Sequence, residues 1–114
     1  MREQRGAVDV RGPGAKVKDA ASARDEKALF AAFAALSSPA EATRFLKDIA
    51  TPAEIEAFAE RWRIARILNE GKYSYRDIAA ETGASTTTIG RVARFLNDEP
   101  HGGYRLMLSK RTKP

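Results

Sequence analysis

The side chains best suited to chemistry in this sequence are hydroxyl and basic groups, and they favour the binding of an anion. Residues 85–94 include Ser85, Thr86, Thr87, Arg91 and Arg94 but no acidic residue. Hydroxyl and guanidinium groups donate hydrogen bonds to phosphate oxygens and to base edges, and the cations also neutralise phosphate charge. This set of residues therefore indicates a nucleic acid as the ligand.

Catalytic chemistry has little support in the same sequence. There is no cysteine, which excludes disulfides, thiolate nucleophiles and cysteine-type zinc sites. The single histidine, His101, lies in a stretch with proline and glycine that is typical of a surface loop. The acidic side chains are spaced as caps and helix-surface groups: Glu54, Glu56, Glu60, Asp77 and Glu81. We therefore predict a protein that is not an enzyme and has no metal site.

The placement of charge also favours an anionic partner. The 114 residues carry a formal charge of +5, and the pI is about 9.8. Residues 28–71 contain five basic and six acidic side chains, whereas residues 72–114 contain eight basic and four acidic ones. The positive excess thus lies in the part of the chain that contains the hydroxyl and basic groups, as expected for a protein that binds DNA.

No segment of the sequence is expected to enter a membrane. No apolar run approaches the roughly 20 residues that a bilayer requires. The first residues include basic ones, but no apolar segment follows them, so they do not resemble a secretory signal. We expect a cytoplasmic, nucleoid-associated protein of bacterial type with no membrane partner.

Two short helices, at residues 75–82 and 85–97, are predicted to position the hydroxyl and basic groups. Gly83 supplies the turn between them, because glycine tolerates a positive φ. Ala79 gives the first helix a small residue where the second one crosses it. Ile78 faces Ile89 and Val92 between the two helices. Residues 75–94 therefore have the spacing of a helix-turn-helix.

The starts of both helices are also marked in the sequence. Ser74 with Asp77 is a capping pattern for the first helix, and Ser85 is the expected N-cap of the second. Short polar residues at the start of the second helix allow close approach to the major groove, and the first helix meets the phosphate backbone. The predicted DNA-binding residues are Lys72, Ser74, Arg76, Ser85, Thr86, Thr87, Gly90, Arg91 and Arg94.

Helical periodicity elsewhere in the chain predicts an all-α fold. Helices are expected from Asp25 and after the Ser38 cap. The longest helix is expected from the Thr51 cap to about Glu70, where Gly71 ends it.

The same patterns divide the chain into three parts. Residues 1–22 lack an amphipathic period and are assigned to a disordered basic arm. Residues 23–109 form the helical domain, whose end at residues 104–108 is weakly defined, and residues 110–114 form a basic tail.

The predicted helices carry more apolar side chains than a domain of about 90 residues buries easily. The longest helix alone has Phe58, Trp62, Ile64 and Ile67 on more than one side, and Phe30 and its neighbours lie upstream. We expect a second copy of the chain to cover this surplus, and therefore a homodimer.

These motifs together resemble the Trp repressor family, and within it the YerC/YecD-type branch of Trp-repressor-related proteins. The resemblance runs without a gap from residue 51 to about residue 97. The motifs that carry it are T-P-A-E, R-W-R-I, E-G and T-T-I-G-R, with L-S-S-P and P-H-G-G-Y-R-L outside that span. The resemblance implies an intertwined, all-helical homodimer that offers two recognition helices to successive major grooves of a palindromic operator.

The resemblance also implies a site for L-tryptophan, or a related amino acid, beside the recognition helix. The positions that contact this ligand in the family carry over to Thr51, Arg61, Thr88 and Arg91. Two neighbouring positions depart from the family's pattern, because Val92 stands in place of a glycine and Phe95 in place of a serine. A valine branch and a phenyl ring fill space that the indole or its amino group needs. We therefore expect no cofactor and leave the effector open.

The favoured function is a sequence-specific DNA-binding transcriptional regulator that acts as a repressor. A second function is a helical protein-interaction module, for which an exposed apolar face on the helical pair is expected. A third is a DNA-targeting accessory protein of a transposase-like system, whose catalytic domain would lie in a partner protein. Salt-dependent binding to duplex DNA distinguishes the DNA-binding functions from the protein-interaction module.

Overall fold

The computed structural model of the protein describes the backbone of residues 14–111 and the side chains of residues 19–110. Within that part of the chain every regular element is an α-helix, which confirms the predicted all-α class. The six helices are α1 (Gly14–Ala35), α2 (Pro39–Ile49), α3 (Pro52–Glu70), α4 (Tyr75–Thr82), α5 (Thr86–Asn97) and α6 (Gly103–Arg111). None of these described helices is long and apolar enough to cross a membrane.

The first helix begins earlier than the sequence predicted. We expected a disordered arm up to residue 22 and a helix from residue 25, but α1 starts at Gly14. Ala20, Ala21 and Ala23 have the highest helix propensity of any residue type, which compensates for the missing amphipathic period. The prediction of disorder is therefore wrong for residues 14–22, and residues 1–13 lie outside the described residues.

The C-terminal helix α6 is a second difference from the sequence prediction. The tail assigned to residues 110–114 begins inside it, and residues 112–114 lie outside the described residues. Contacts with other helices explain the formation of α6 better than the spacing of its apolar residues does. Leu108 is buried, and the Tyr104 ring stacks on Trp62 of α3 with centroids 6.5 Å apart. The Arg105 guanidinium donates to the side-chain oxygens of Asn69 (2.8 Å) and Asn97 (2.7 Å), and thereby joins α6 to the ends of α3 and α5.

The described residues fall into two compact units, of which the first ends at Leu46 and contains α1 and most of α2. The Phe33 and Phe45 rings meet edge to face, with centroids 5.5 Å apart. The predicted Ser38 cap is confirmed, because its hydroxyl oxygen accepts the backbone N–H of Glu41 at 3.1 Å. The Glu41 carboxylate in turn accepts the N–H of Ser37 at 3.0 Å. Local side-chain bonds thus fix the start of α2.

The second unit, Lys47–Pro114, contains α3 to α6. Thr51 and Glu54 form a complete capping box at the start of α3, and Gly71 ends the helix with φ 72°. Both features were predicted. The core lies where α3, α4 and α5 meet, and its buried members are Ile64, Ala65, Ile78, Ala84, Ile89 and Val92. The three inward-facing positions predicted for the helical pair, residues 78, 89 and 92, are therefore confirmed.

Candidate nucleic-acid interface

The helices α4 and α5 are joined by the three residues 83–85, whose geometry is fixed from both sides. Gly83 has φ 78°, a left-handed conformation that favours glycine, and its N–H donates to the Ala79 carbonyl at 2.8 Å. The Thr82 hydroxyl donates to the Ile78 carbonyl (2.7 Å) and accepts the N–H of Ala84 (3.1 Å). Because Ala84 is also buried in the core, the turn holds α5 in one position on α4.

Both helices of this pair begin at the predicted caps. The Ser74 hydroxyl oxygen accepts the N–H of Asp77 at 3.0 Å, and the Asp77 carboxylate accepts the N–H of Ser74 at 3.2 Å. The Ser85 hydroxyl oxygen accepts the N–H of Thr88, and the same hydroxyl donates to the Thr88 side-chain oxygen. The Ser85 side chain thus acts as the N-cap of α5. The N–H groups of the two residues that follow Ser85 have no acceptor within the helix and can therefore donate to an anion at this end of α5.

The two faces of α5 differ sharply in chemistry. Its buried residues are apolar: Ile89, Val92, Ala93 and Leu96. Its exposed residues are polar and none is acidic: the hydroxylic Thr86 and Thr87, the basic Arg91 and Arg94, and Asn97 at the end of the helix. Gly90 is half-buried and lies on this exposed side, four residues after Thr86 and four before Arg94. The helix is therefore anchored in the core on one side and presents hydrogen-bond donors and positive charge on the other.

The remaining predicted DNA-binding residues lie at the start of α4. Lys72 and Arg76 are exposed and flank the Ser74 cap. Their position beside the positive end of the α4 dipole adds to the attraction for an anion. All nine predicted positions are exposed or half-buried, so each is accessible to a ligand.

A cluster that the sequence did not predict lies at the end of α5. The guanidinium carbons of Arg91 and Arg94 lie 4.4 and 5.0 Å from the centroid of the Phe95 ring. His101, exposed in the turn before α6, stacks nearly parallel to that ring with a centroid separation of 6.0 Å. The carboxylate of Glu99 lies 3.4 Å from Nε of Arg94. We call these five residues the Phe95 cluster. In the sequence, only the four-residue spacing of Arg91 and Phe95 on one helix indicated that such a cluster could form.

The four positions implied for a tryptophan site each make a contact close to them in the chain. Thr51 caps α3, and the Arg61 guanidinium lies 5.9 Å from the centroid of the neighbouring Phe58 ring. Thr88 bonds to its own N-cap, and Arg91 lies against Phe95. Among the described residues, none of these contacts joins one of the four positions to another.

The two departures from the family's pattern have different surroundings. Val92 is buried in the core with 1% of its surface exposed, on the side of α5 that faces α3 and α4. Phe95 is half-buried, and its ring lies against Arg91, one of the four implied ligand contacts. Phe95 is therefore the departure that occupies space beside an implied ligand residue.

A half-open groove of about 810 Å³ lies elsewhere, between α3 and α4. Both charge signs line it, and Nη2 of Arg63 donates to the Glu81 carboxylate there at 3.0 Å. None of the four positions implied for tryptophan lines this groove. The groove and the exposed face of α5 are thus separate features of the second unit.

Comparison with known protein families matches residues 25–112 to the family described as Trp repressor protein. Over 69 residues the chain is 46% identical to the uncharacterized protein YerC of Bacillus subtilis (strain 168). That match covers 60% of this chain and 65% of YerC, so the chain spans slightly less than two thirds of this relative's length.

Two solved structures have the same fold. A TrpR-like protein from Eubacterium eligens ATCC 27750 superimposes with a TM-score of 0.71 and 37% identity, over 79% of this chain and 91% of that one. A candidate Trp repressor from Staphylococcus aureus gives a TM-score of 0.69 and 33% identity, over 82% of this chain and 89% of that one. The fold of the described residues is therefore that of TrpR-like proteins.

Proposed function

The chain belongs to the Trp repressor family, and on this premise we propose that it is a transcriptional regulator that binds duplex DNA through α4 and α5 as a helix-turn-helix. The observation that carries the proposal is the division of α5 into a buried apolar face and an exposed face of hydroxyl and basic groups without an acidic residue. A helix with this division fits the major groove while its other side stays packed on the protein. Its site of action is then the bacterial nucleoid.

The two helices have different roles in the proposed complex. Thr86 and Thr87, at the start of α5, enter the major groove first and donate to base edges or nearby phosphates. Arg91 and Arg94 follow one and two turns later and supply the positive charge. Lys72, Ser74 and Arg76 at the start of α4 contact the phosphate backbone and set the orientation of the domain.

Gly90 supports a close approach of DNA to α5. A glycine inside a helix destabilises it by about 1 kcal/mol relative to alanine. No contact among the described residues compensates for this, because a Cβ at position 90 would meet no atom of theirs within 4 Å, and the φ of Gly90 is not in the left-handed region. A requirement for space on the ligand side explains the glycine, as expected if the DNA backbone passes next to it.

We propose that the regulator acts as a homodimer. Large apolar side chains are exposed in both units of the single chain: Phe30, Phe33, Ile49, Phe58, Leu106 and Met107. Phe30 and Leu106 expose 62% and 57% of their surface, which is unfavourable in water. A second copy covers such residues most simply, and two copies of α5 then read half-sites about one helical turn apart. Occupation of such a palindromic operator represses transcription by occlusion.

We propose that L-tryptophan is not the effector of this protein. The Phe95 ring lies against the Arg91 guanidinium, where a ligand in contact with Arg91 would need space. The equivalent family position has a serine, which leaves that space open. The proposed regulator therefore binds DNA without tryptophan, and its effector is a different compound or none.

Genomic selection of bound fragments supplies the operator, and fluorescence anisotropy of a labelled operator duplex across a salt series then tests the proposal. We expect Arg91→Ala to weaken binding by about tenfold or more and to reduce the salt slope by about one. Arg44→Ala is the matched control, since Arg44 is an exposed arginine on α2 and its loss changes the net charge equally.

The outcomes distinguish specific binding of DNA to the exposed face of α5 from a general attraction between the charges of the protein and the DNA. Equal effects of both substitutions mean that only overall charge matters, which contradicts the assignment of α5 as the reading helix. Unchanged binding by the Arg91→Ala variant contradicts it as well. Sedimentation velocity on the same samples establishes whether each variant has the oligomeric state of the wild type.

A further inference from the structure

The Phe95 cluster holds the two arginines of the proposed DNA face against one aromatic ring. Arg91 lies one helical turn before Phe95, so the two side chains share a side of α5. Arg94 is adjacent in sequence, and its guanidinium also lies within 5.0 Å of the ring centroid. Both distances are within the range in which a cation is attracted to the face of an aromatic ring.

The chain after α5 closes around the same ring. The Arg94 carbonyl accepts the N–H groups of Asp98 (2.7 Å) and Glu99 (3.0 Å), which ends α5 and turns the chain back. The Glu99 side chain thereby reaches Nε of Arg94, and its carboxylate offsets part of the repulsion between the two guanidinium groups. His101 then stacks on Phe95. Side chains of α5 and of the turn before α6 thus both contact the half-buried Phe95 ring.

An exposed arginine that is free in solution loses many rotamers when it binds a phosphate or a base. An arginine that already lies on a ring has lost part of this freedom before the ligand arrives. The entropy that remains to be lost on binding is then smaller, and affinity rises without any additional contact to the ligand.

We propose that Phe95 is the positioning residue of the DNA face, and that its ring orients Arg91 and Arg94 before the duplex binds. This inference rests on the proposed function, since it assigns to Phe95 an effect on DNA that it exerts only through the two arginines. It also makes the arrangement of the cations a property of the chain itself, with no bound small molecule required.

Two substitutions at position 95 test the proposal by anisotropy on the operator duplex. Phe95→Leu keeps an apolar side chain but removes the aromatic face, and Phe95→Tyr keeps the ring. We expect the leucine variant to bind about fivefold more weakly with the salt slope of the wild type, because both cations are still present. We expect the tyrosine variant to bind within about twofold of the wild type.

A double-mutant cycle shows whether Phe95 acts through its neighbour. In the Arg91→Ala background, the Phe95→Leu change is expected to weaken binding less than it does in the wild type. Equal effects in both backgrounds overturn the role of Arg91 in the proposal. Equal weakening by the leucine and tyrosine substitutions, or wild-type binding by the leucine variant, overturns the role of the ring.

Nuclear magnetic resonance on the free wild-type protein provides a test that does not depend on the folding of any variant. The side-chain protons of Arg91 are expected to be shifted upfield by the Phe95 ring current, and its Nε–H group to have restricted motion. Random-coil shifts with free rotamer averaging contradict the proposal. If Arg91→Ala does not weaken DNA binding, the proposed function fails. If it does and the Phe95 tests fail, only the present inference is wrong.

Discussion

Two glycine-to-alanine substitutions add the same methyl group to the helical pair, and their effects on stability are expected to have opposite signs. Gly83 has φ 78°, and a Cβ there meets no atom within 4 Å, so the backbone conformation alone determines the effect. An L-residue in this conformation costs about 1–2 kcal/mol, and the stiffer unfolded chain offsets about 0.4–1 kcal/mol. We expect Gly83→Ala to lower the free energy of unfolding by about 1 kcal/mol.

Gly90 is the matched control, because a Cβ there also meets no atom within 4 Å but its φ is ordinary for a helix. Alanine is favoured over glycine in a helix interior by about 0.8–1.0 kcal/mol. Gly90→Ala is therefore expected to raise the free energy of unfolding by about 1 kcal/mol, which makes the difference between the variants about 2 kcal/mol. If Gly90 faces DNA closely, the same variant binds the operator more weakly although it is more stable.

Urea unfolding followed by circular dichroism measures both changes, with the chain concentration held constant because the stability of the proposed dimer would depend on it. Unchanged or increased stability of the Gly83→Ala variant would refute the assignment of the turn to a left-handed residue. Lower stability of the Gly90→Ala variant would show that the space at Gly90 is filled in the folded protein. Tighter DNA binding by that variant would contradict close approach.

Two further predictions concern the Phe95 cluster. Glu99→Gln is expected to strengthen operator binding about two- to fivefold, because it removes a negative charge near the phosphates while the Phe95 ring still orients Arg94. Anisotropy measures this change, with Glu56→Gln of α3 as the control, and weaker binding would instead mean that Glu99 is needed to orient Arg94. L-tryptophan titrated into the wild-type protein is expected to give no saturable heat in the micromolar range, because the Phe95 ring lies against Arg91; a saturable calorimetric isotherm would contradict the argument from Phe95.

Features determined by residues close in sequence were predicted well. The caps at Thr51, Ser74 and Ser85 each depend on one side chain and the backbone three residues away. The turn at Gly83 follows from a single residue's conformational freedom. Helical periodicity likewise identified Ile89 as a core residue.

Features that depend on contacts between distant residues were not predicted. The sequence of α6 has weak periodicity, and the helix is held by Tyr104 on Trp62 and by Arg105 on two asparagines from other helices. The contact of His101 with Phe95 likewise requires the chain to turn back after α5. The extent of α1 was missed for a different reason, because its alanine-rich start has high propensity but no apolar stripe.

The two hydrogen bonds of Arg105 have a mechanical consequence for the proposed operator. They join the far end of α5 to the end of α3, while the residues 83–85 fix the near end, so α5 is restrained at both ends. One additional base pair between two half-sites rotates the second by about 35° around the duplex axis. These contacts oppose a rotation of the reading helix that would follow the displaced half-site. The proposed dimeric regulator is therefore expected to tolerate changes in half-site sequence better than changes in half-site spacing.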